Sequence, residues 1–220
     1  MTDTTPATAP DDDHGGAAPK DAVQDSRFAL TARDLFTVAI FAVLYVIAGS
    51  IVAMLGIAGP LVMMVTLPLA PLVCGIPYML FLTRVHRPGM VTLFGVVSGL
   101  LYLLYGLPWM IAIATTVLGA IADLICARGG YRSRPLSVVA YTVFSLWYVA
   151  TWIPFFLSKE EYIRSQGMQE MGDSYAADFD RLVTTPVVLA SAGAMVLCAA
   201  LGGLLGTTML KKHFTRAGLA

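Results

Sequence analysis

The side chains best equipped for recognition in this sequence are aromatic. Trp147 and Thr151 lie four residues apart and share one helix face, as do Tyr148 and Trp152. Trp109, Tyr105 and Tyr162 fall toward the same end of the apolar runs. For each ring the plain alternative is a belt at a membrane interface. Trp147 does not suit a belt, because it lies roughly 10 residues, or about 15 Å, from the nearer end of its helix. Aromatic walls with a few hydroxyls suit a small, mainly uncharged ring compound. The candidate substrate-binding set is therefore Trp147, Thr151, Trp109, Tyr105, Tyr148, Trp152 and Tyr162.

Other chemistry is sparse. Asp123 is the one ionisable side chain clearly inside an apolar run, about one turn from Arg128. That depth favours pairing with an arginine of 128–134, or capping the next helix, over a midplane proton site. Cys74, Cys126 and Cys198 sit in apolar runs without metal spacing, and His14, His86 and His213 are scattered. The sequence carries no paired carboxylates, no nucleophile beside a base and no phosphate-binding loop. The expectation is a protein that is not an enzyme, with no cofactor, no metal, no nucleic-acid partner and no energy source of its own.

The elements that hold these residues follow from composition. Of the 220 residues, 57% are hydrophobic and 13% charged, and mean hydropathy is +0.75. Soluble domains carry about 25% charge, so the chain belongs in a bilayer. From Trp109 to Ala127 there is one charge, Asp123, and Arg128, Arg132 and Arg134 follow. Those 19 positions span roughly 28 Å as a helix, the thickness of the hydrocarbon core.

The same reading gives an all-α membrane protein of six transmembrane helices, at about 35–55, 61–82, 90–106, 109–127, 138–157 and 184–210. Residues 1–30 form a disordered acidic cytoplasmic tail, followed by a membrane domain over 31–215. Thr31 and Asp34 look like the start of helix 1. Helix 2 carries Pro68, Pro71 and Pro77, which predicts a Pro-interrupted helix lining a binding cavity. Gly95 and Gly99 give helix 3 a small-residue packing face. The loop 158–183 is acidic, with Ser158 and Asp173 as caps of short helices, and is expected to act as a lid.

Basic residues set the orientation. Lys20, Arg27, Arg33, Arg84, Arg87, Arg128, Arg132, Arg134, Lys211, Lys212 and Arg216, 11 of the 14, fall on one side of this arrangement. Both termini are then cytoplasmic and the loop 158–183 extracellular.

Three stretches carry a family resemblance: LTARDLFTVAIFAVLYV, HRPGMVTLFGVVSGLLYLLYG and, above all, LGAIADLICARGGYRS. Over about residues 30–215 the chain resembles the substrate-binding S components of energy-coupling factor (ECF) transporters, and looks closest to the Trep_Strep-type branch. The resemblance implies a multi-pass protein of the bacterial cell membrane. It would capture a vitamin-like or other small micronutrient and associate with a T-type membrane subunit and two cytoplasmic ATPases. The family docks its T subunit through small residues on helix 1, for which Ala39 and Ala42 are the nearest candidates here. Two other readings stand beside it: a self-sufficient small secondary transporter or channel, and a membrane structural or assembly protein.

Overall fold

The computed structural model describes residues 31–85 and 87–216, with side chains as far as residue 210; the acidic tail 1–30 lies outside the described residues. Among the described residues the chain is all-helical, without strands. Helix α1 spans Ala32–Met54 and runs into a 3₁₀ turn, Leu55–Ala58. Helices α2 (Pro60–Leu82), α3 (Met90–Leu104) and α4 (Trp109–Arg128) follow. Then come α5 (Arg134–Phe144), α6 (Leu146–Ala150), α7 (Ile153–Leu157), α8 (Lys159–Ile163), α9 (Gln166–Glu170), α10 (Asp173–Leu182) and α11 (Thr185–Arg216).

Among the described residues, four segments are long and apolar enough to cross a membrane: Ala32–Ala58, Pro60–Leu82, Trp109–Arg128 and Thr185–Leu210. Helix α3 is a shorter apolar helix of 15 residues, about 22 Å long. The remaining stretch, 134–157, is divided into three helical pieces. For brevity, the end of the bundle carrying Arg84, Arg128 and Arg132 is the arginine end, and the end carrying α8–α10 is the cap end.

Helix α1 starts on a full capping box. The Thr31 hydroxyl accepts from the Asp34 N–H, and the Asp34 carboxylate accepts from the Thr31 N–H at 2.9 Å. Its inner stripe is Val38, Ala42, Tyr45 and Gly49, all buried, while Phe36, Ile40, Val43, Ile47 and Ile51 face outward. Apolar residues on both faces mean one stripe meets the bundle and the other meets lipid. This corrects one expectation: Ala42 is 0% exposed and belongs to the internal stripe, so it offers no docking surface. Ala39 is half-buried at the stripe's edge.

The proline helix is also not as expected. Pro68, Pro71 and Pro77 lie inside one continuous helix rather than at an interruption. Proline's fixed φ suits a helix, but each ring removes the N–H that would bond four residues back. Helix α11 acts as a splint. A Cβ on Gly75 would lie 2.3 Å from the Gly202 carbonyl carbon, and one on Gly202 would lie 2.7 Å from the Pro71 carbonyl oxygen. Backbones approach this closely only because both residues are glycine. The Tyr141 hydroxyl adds a hydrogen bond to the Pro71 carbonyl. Protein thus packs closely against the Pro71–Gly75 turn of this proline-rich membrane helix.

The interruption occurs instead in the predicted helix 138–157. The α pattern lapses at Ser145 and again at Thr151–Trp152, where Tyr148, Thr151 and Trp152 N–H groups reach carbonyls three residues back. Pro154 supplies no N–H to the Ala150 carbonyl, and Thr151 Oγ1 donates to the Tyr148 carbonyl at 2.6 Å. Helices α3 and α4 pair tightly through glycine: a Cβ on Gly95 would lie 2.4 Å from the Thr115 carbonyl oxygen.

Beyond α7 the chain folds into a small helical cap. Ser158 caps α8 by accepting from the Glu161 N–H. Gly172, at φ 95°, occupies the N-cap of α10, so Asp173 is its first residue and not its cap. Phe155, Tyr162 and Phe179 form the cap's own apolar centre, with ring centroids 5.5–6.3 Å apart. The cap is fastened to the bundle where the Tyr175 hydroxyl donates to the Gly56 carbonyl at 3.2 Å.

Candidate functional site

A cavity of about 330 Å³ opens at the cap end, within the range of small-molecule sites. Helix α1 lends it Gly49, Ser50 and Ala53; α2 lends Met63 and Leu67; α3 and its following turn lend Tyr102, Tyr105 and Leu107. The interrupted segment contributes Trp147, Tyr148 and Thr151, and the cap contributes Tyr162 and Met171. Among the described residues, no Asp, Glu, Lys, Arg or His lines it.

Five of the seven sequence-derived residues therefore meet: Trp147, Thr151, Tyr105, Tyr148 and Tyr162. Trp109 does not; it is 67% exposed on the bundle's outside, where an interfacial indole belongs. Trp152 does not either. It is buried, with its ring against Phe155, and supports the cap. An adjoining recess of about 380 Å³ shares Leu107, Thr151 and Tyr162, and adds the exposed Glu161 and Ser165.

The rings are tightly arranged. Trp147 lies 4.3 Å from the Tyr102 ring and 3.9 Å from the Tyr148 ring, inclined by 38° and 30°. Its Nε1 donates to the Tyr45 hydroxyl at 3.0 Å. The Tyr148 hydroxyl donates to Cys74 Sγ at 3.4 Å. A Cβ on Gly49 would lie 2.9 Å from the Tyr148 hydroxyl, so glycine is needed at this point for α1 to pass beneath the rings. At the mouth, burial pushes the Tyr162 phenol up to about 12, which keeps it neutral across physiological pH.

Tyr45 also marks the floor. Below it, toward the arginine end, Tyr45, Tyr78, Phe81, Phe94 and Phe144 interlock with centroids 4.7–6.5 Å apart, all fully buried. This aromatic plug closes the cavity away from the arginine end.

The sequence reading missed the contribution of α1, and it expected helix 2 at a cavity because of its prolines, whereas Met63 and Leu67 are the residues that line it. Gly49 and Ala53 were visible as small residues, but small residues equally signal helix packing. Only the tertiary arrangement shows that they form one wall of a cavity.

Asp123 has a different role from either expected one. Its carboxylate accepts from the Gly89 N–H at 2.7 Å, the Thr92 N–H at 3.2 Å, the Thr92 hydroxyl at 2.9 Å and the Tyr131 hydroxyl at 2.6 Å. It caps the preceding helix, α3, where the positive end of the helix dipole favours a carboxylate. It also holds Tyr131, which sits in the left-handed region at φ 58°. Burial, and then the bonded carboxylate, push the Tyr131 phenol well above its usual range. A second recess, of about 650 Å³, lies nearby between Thr83, Val85 and Gly129–Arg132. The N–H groups of Gly129, Gly130, Tyr131 and Arg132 are all bonded within the turn, leaving none to hold a ligand.

Among the described residues, apolar helices of membrane-spanning length and outward-facing apolar side chains define an all-helical integral membrane protein. The family model for a hypothetical bacterial integral membrane protein (Trep_Strep) matches residues 32–216, and the chain belongs to that family. Comparison with curated proteins and with solved structures gives no match.

Proposed function

We propose that this protein captures a small, uncharged ring compound in the cap-end cavity and works as the substrate-binding subunit of an ECF-type importer. The observation that carries the reading is the cavity itself: aromatic, free of ionisable groups other than tyrosine, and closed below by the plug. In this reading α3 and the α5–α7 segment are the fifth and sixth crossings, both termini are cytoplasmic, and the cap is an extracellular lid in the bacterial cell membrane. The distribution of basic residues supports that orientation. The plug argues against a channel, because a conducting path would have to pass through interlocked rings.

The chain itself catalyses nothing in this proposal. Work against a gradient comes from a T-type membrane subunit and two cytoplasmic ATPases. Ala39 remains the candidate for the partner contact on α1. Uptake of the compound that co-purifies with the protein, measured in vesicles, is expected only with those partners and ATP. Accumulation by the chain alone would overturn the assignment. A cysteine at Ser165 is expected to react with an impermeant thiol reagent from outside, and one at Ser133 is not; the reverse pattern would overturn the orientation.

A further inference from the structure

Leu107, Thr151 and Tyr162 line both the aromatic cavity and the adjoining recess of about 380 Å³. A ligand whose ring fills the first therefore has room to extend past these three side chains into the second. Most of the recess is apolar, with Ile111 from α4 and Pro154 and Leu157 from α7. Glu161 and Ser165 add polar groups, and both are exposed, so a visitor can reach them. Among the described residues, Glu161 is the one charged group lining the recess. It stands on a fixed turn: its N–H donates to Ser158 Oγ at 3.2 Å, and the next residue, Tyr162, packs on Phe179 with ring centroids 5.5 Å apart. The basic residues near it in sequence are placed elsewhere. Lys159 pairs with Asp180 at 2.8 Å, and Arg164 is not part of the recess lining. Ser165 occupies the N-cap of α9 without capping it through its side chain, so its hydroxyl can give or accept a hydrogen bond.

We propose that the recess is a second subsite for the captured compound, where Glu161 selects a short uncharged arm that donates hydrogen bonds and rejects an anionic one. An ionised carboxylate only accepts, so the arm must carry an N–H or O–H. An anionic arm would face a like charge while leaving water. A cationic arm would lose hydration against the apolar lining, and an exposed carboxylate returns little of that loss. A primary amide suits both polar residues, giving to Glu161 and accepting from Ser165. This inference deepens the capture reading above and rests on it.

The test uses the full chain in lipid nanodiscs at neutral pH and four probes that share one ring system: naphthalene, 2-naphthylacetamide, 2-naphthylacetate and 2-naphthylethylammonium. Binding is measured by equilibrium dialysis against empty nanodiscs. The amide should bind the unaltered chain more tightly than the acetate or the ammonium. Glu161→Gln should strengthen acetate binding by about fivefold and Glu161→Lys by more than about tenfold, the scale of one and then two charge contacts near a protein surface. Naphthalene, which has no arm, should bind the unaltered chain and both variants equally, which also shows that the variants are folded. Glu160→Lys makes the same charge change one residue away, outside the recess lining, and should strengthen acetate binding far less. Acetate binding that is unchanged in both Glu161 variants, or raised equally by Glu160→Lys, would overturn the role of Glu161. Acetate or ammonium binding the unaltered chain as tightly as the amide would overturn the uncharged arm. No binding of any probe above empty nanodiscs would overturn the capture reading itself.

Discussion

The two halves of this bundle are built from the same kinds of side chain and end up opposite in character. At the arginine end, Tyr45, Tyr78, Phe81, Phe94 and Phe144 come from α1, α2, α3 and α5 and fill the space between the helices. At the cap end, Tyr102, Trp147 and Tyr148 surround a space and leave it open. Ring content is not the difference. In the cap half, α1 presents Gly49, Ser50 and Ala53, and the opposing segment breaks at Ser145 and Thr151. Short side chains on one wall and a lapse of helical pattern on the other leave volume that rings line without filling. A membrane protein can thus place a cavity by what it removes from its walls.

The largest expected effect tests the solid half. Phe94 packs against Tyr45, Tyr78, Phe81 and Phe144. Phe94→Ala should cost about 3–5 kcal/mol of stability in a denaturant titration in micelles, the range for a buried ring replaced by a methyl group. The affinity of the fraction that remains folded should be unchanged. A cost below about 1 kcal/mol would show that the plug is loosely packed.

Trp147→Ala tests the hollow half. It should weaken binding of the co-purified compound by about 1–3 kcal/mol, the scale of one lost buried aromatic contact. Trp109→Ala, on the exposed outside, should stay within about 0.5 kcal/mol. Equal losses from the two would erase the distinction between cavity wall and interfacial belt.

Asp123→Asn bears on the arginine end again. An amide can still accept at α3 but cannot bond the Gly89, Thr92 and Tyr131 groups as the carboxylate does. The expected cost is about 1–3 kcal/mol of stability, read by thermal melting, with ligand affinity intact. Loss of binding would mean that Asp123 is coupled to the cavity.

The smallest expected effect is that of pH. Among the described residues, tyrosines are the only titratable groups lining the cavity, and burial raises Tyr162 to about 12. Affinity should therefore be flat between pH 5 and pH 9. A titration in that window would point to the ligand or to Glu161 in the adjoining recess.

The sequence made the helical class, the capping of α1, the small-residue face of α3 and five of the cavity's residues legible, because hydropathy and spacing are local signals. It misplaced the broken helix. Three prolines in α2 spoke more loudly than Ser145, Thr151 and Pro154 further on, yet Gly202 and Tyr141 secure the first segment from a distance. The inward turn of Ala42 and the reach of Asp123 back to Gly89 were hidden for the same reason: each depends on which neighbour a helix meets.

The central claim is that the cap-end cavity holds a small neutral ring compound. Native mass spectrometry of the full chain released directly from bacterial membranes tests it most directly. The account predicts one such molecule bound per chain, with occupancy markedly reduced in Trp147→Ala. A chain carrying lipid alone, or a bound molecule whose occupancy is the same in Trp147→Ala, would contradict it.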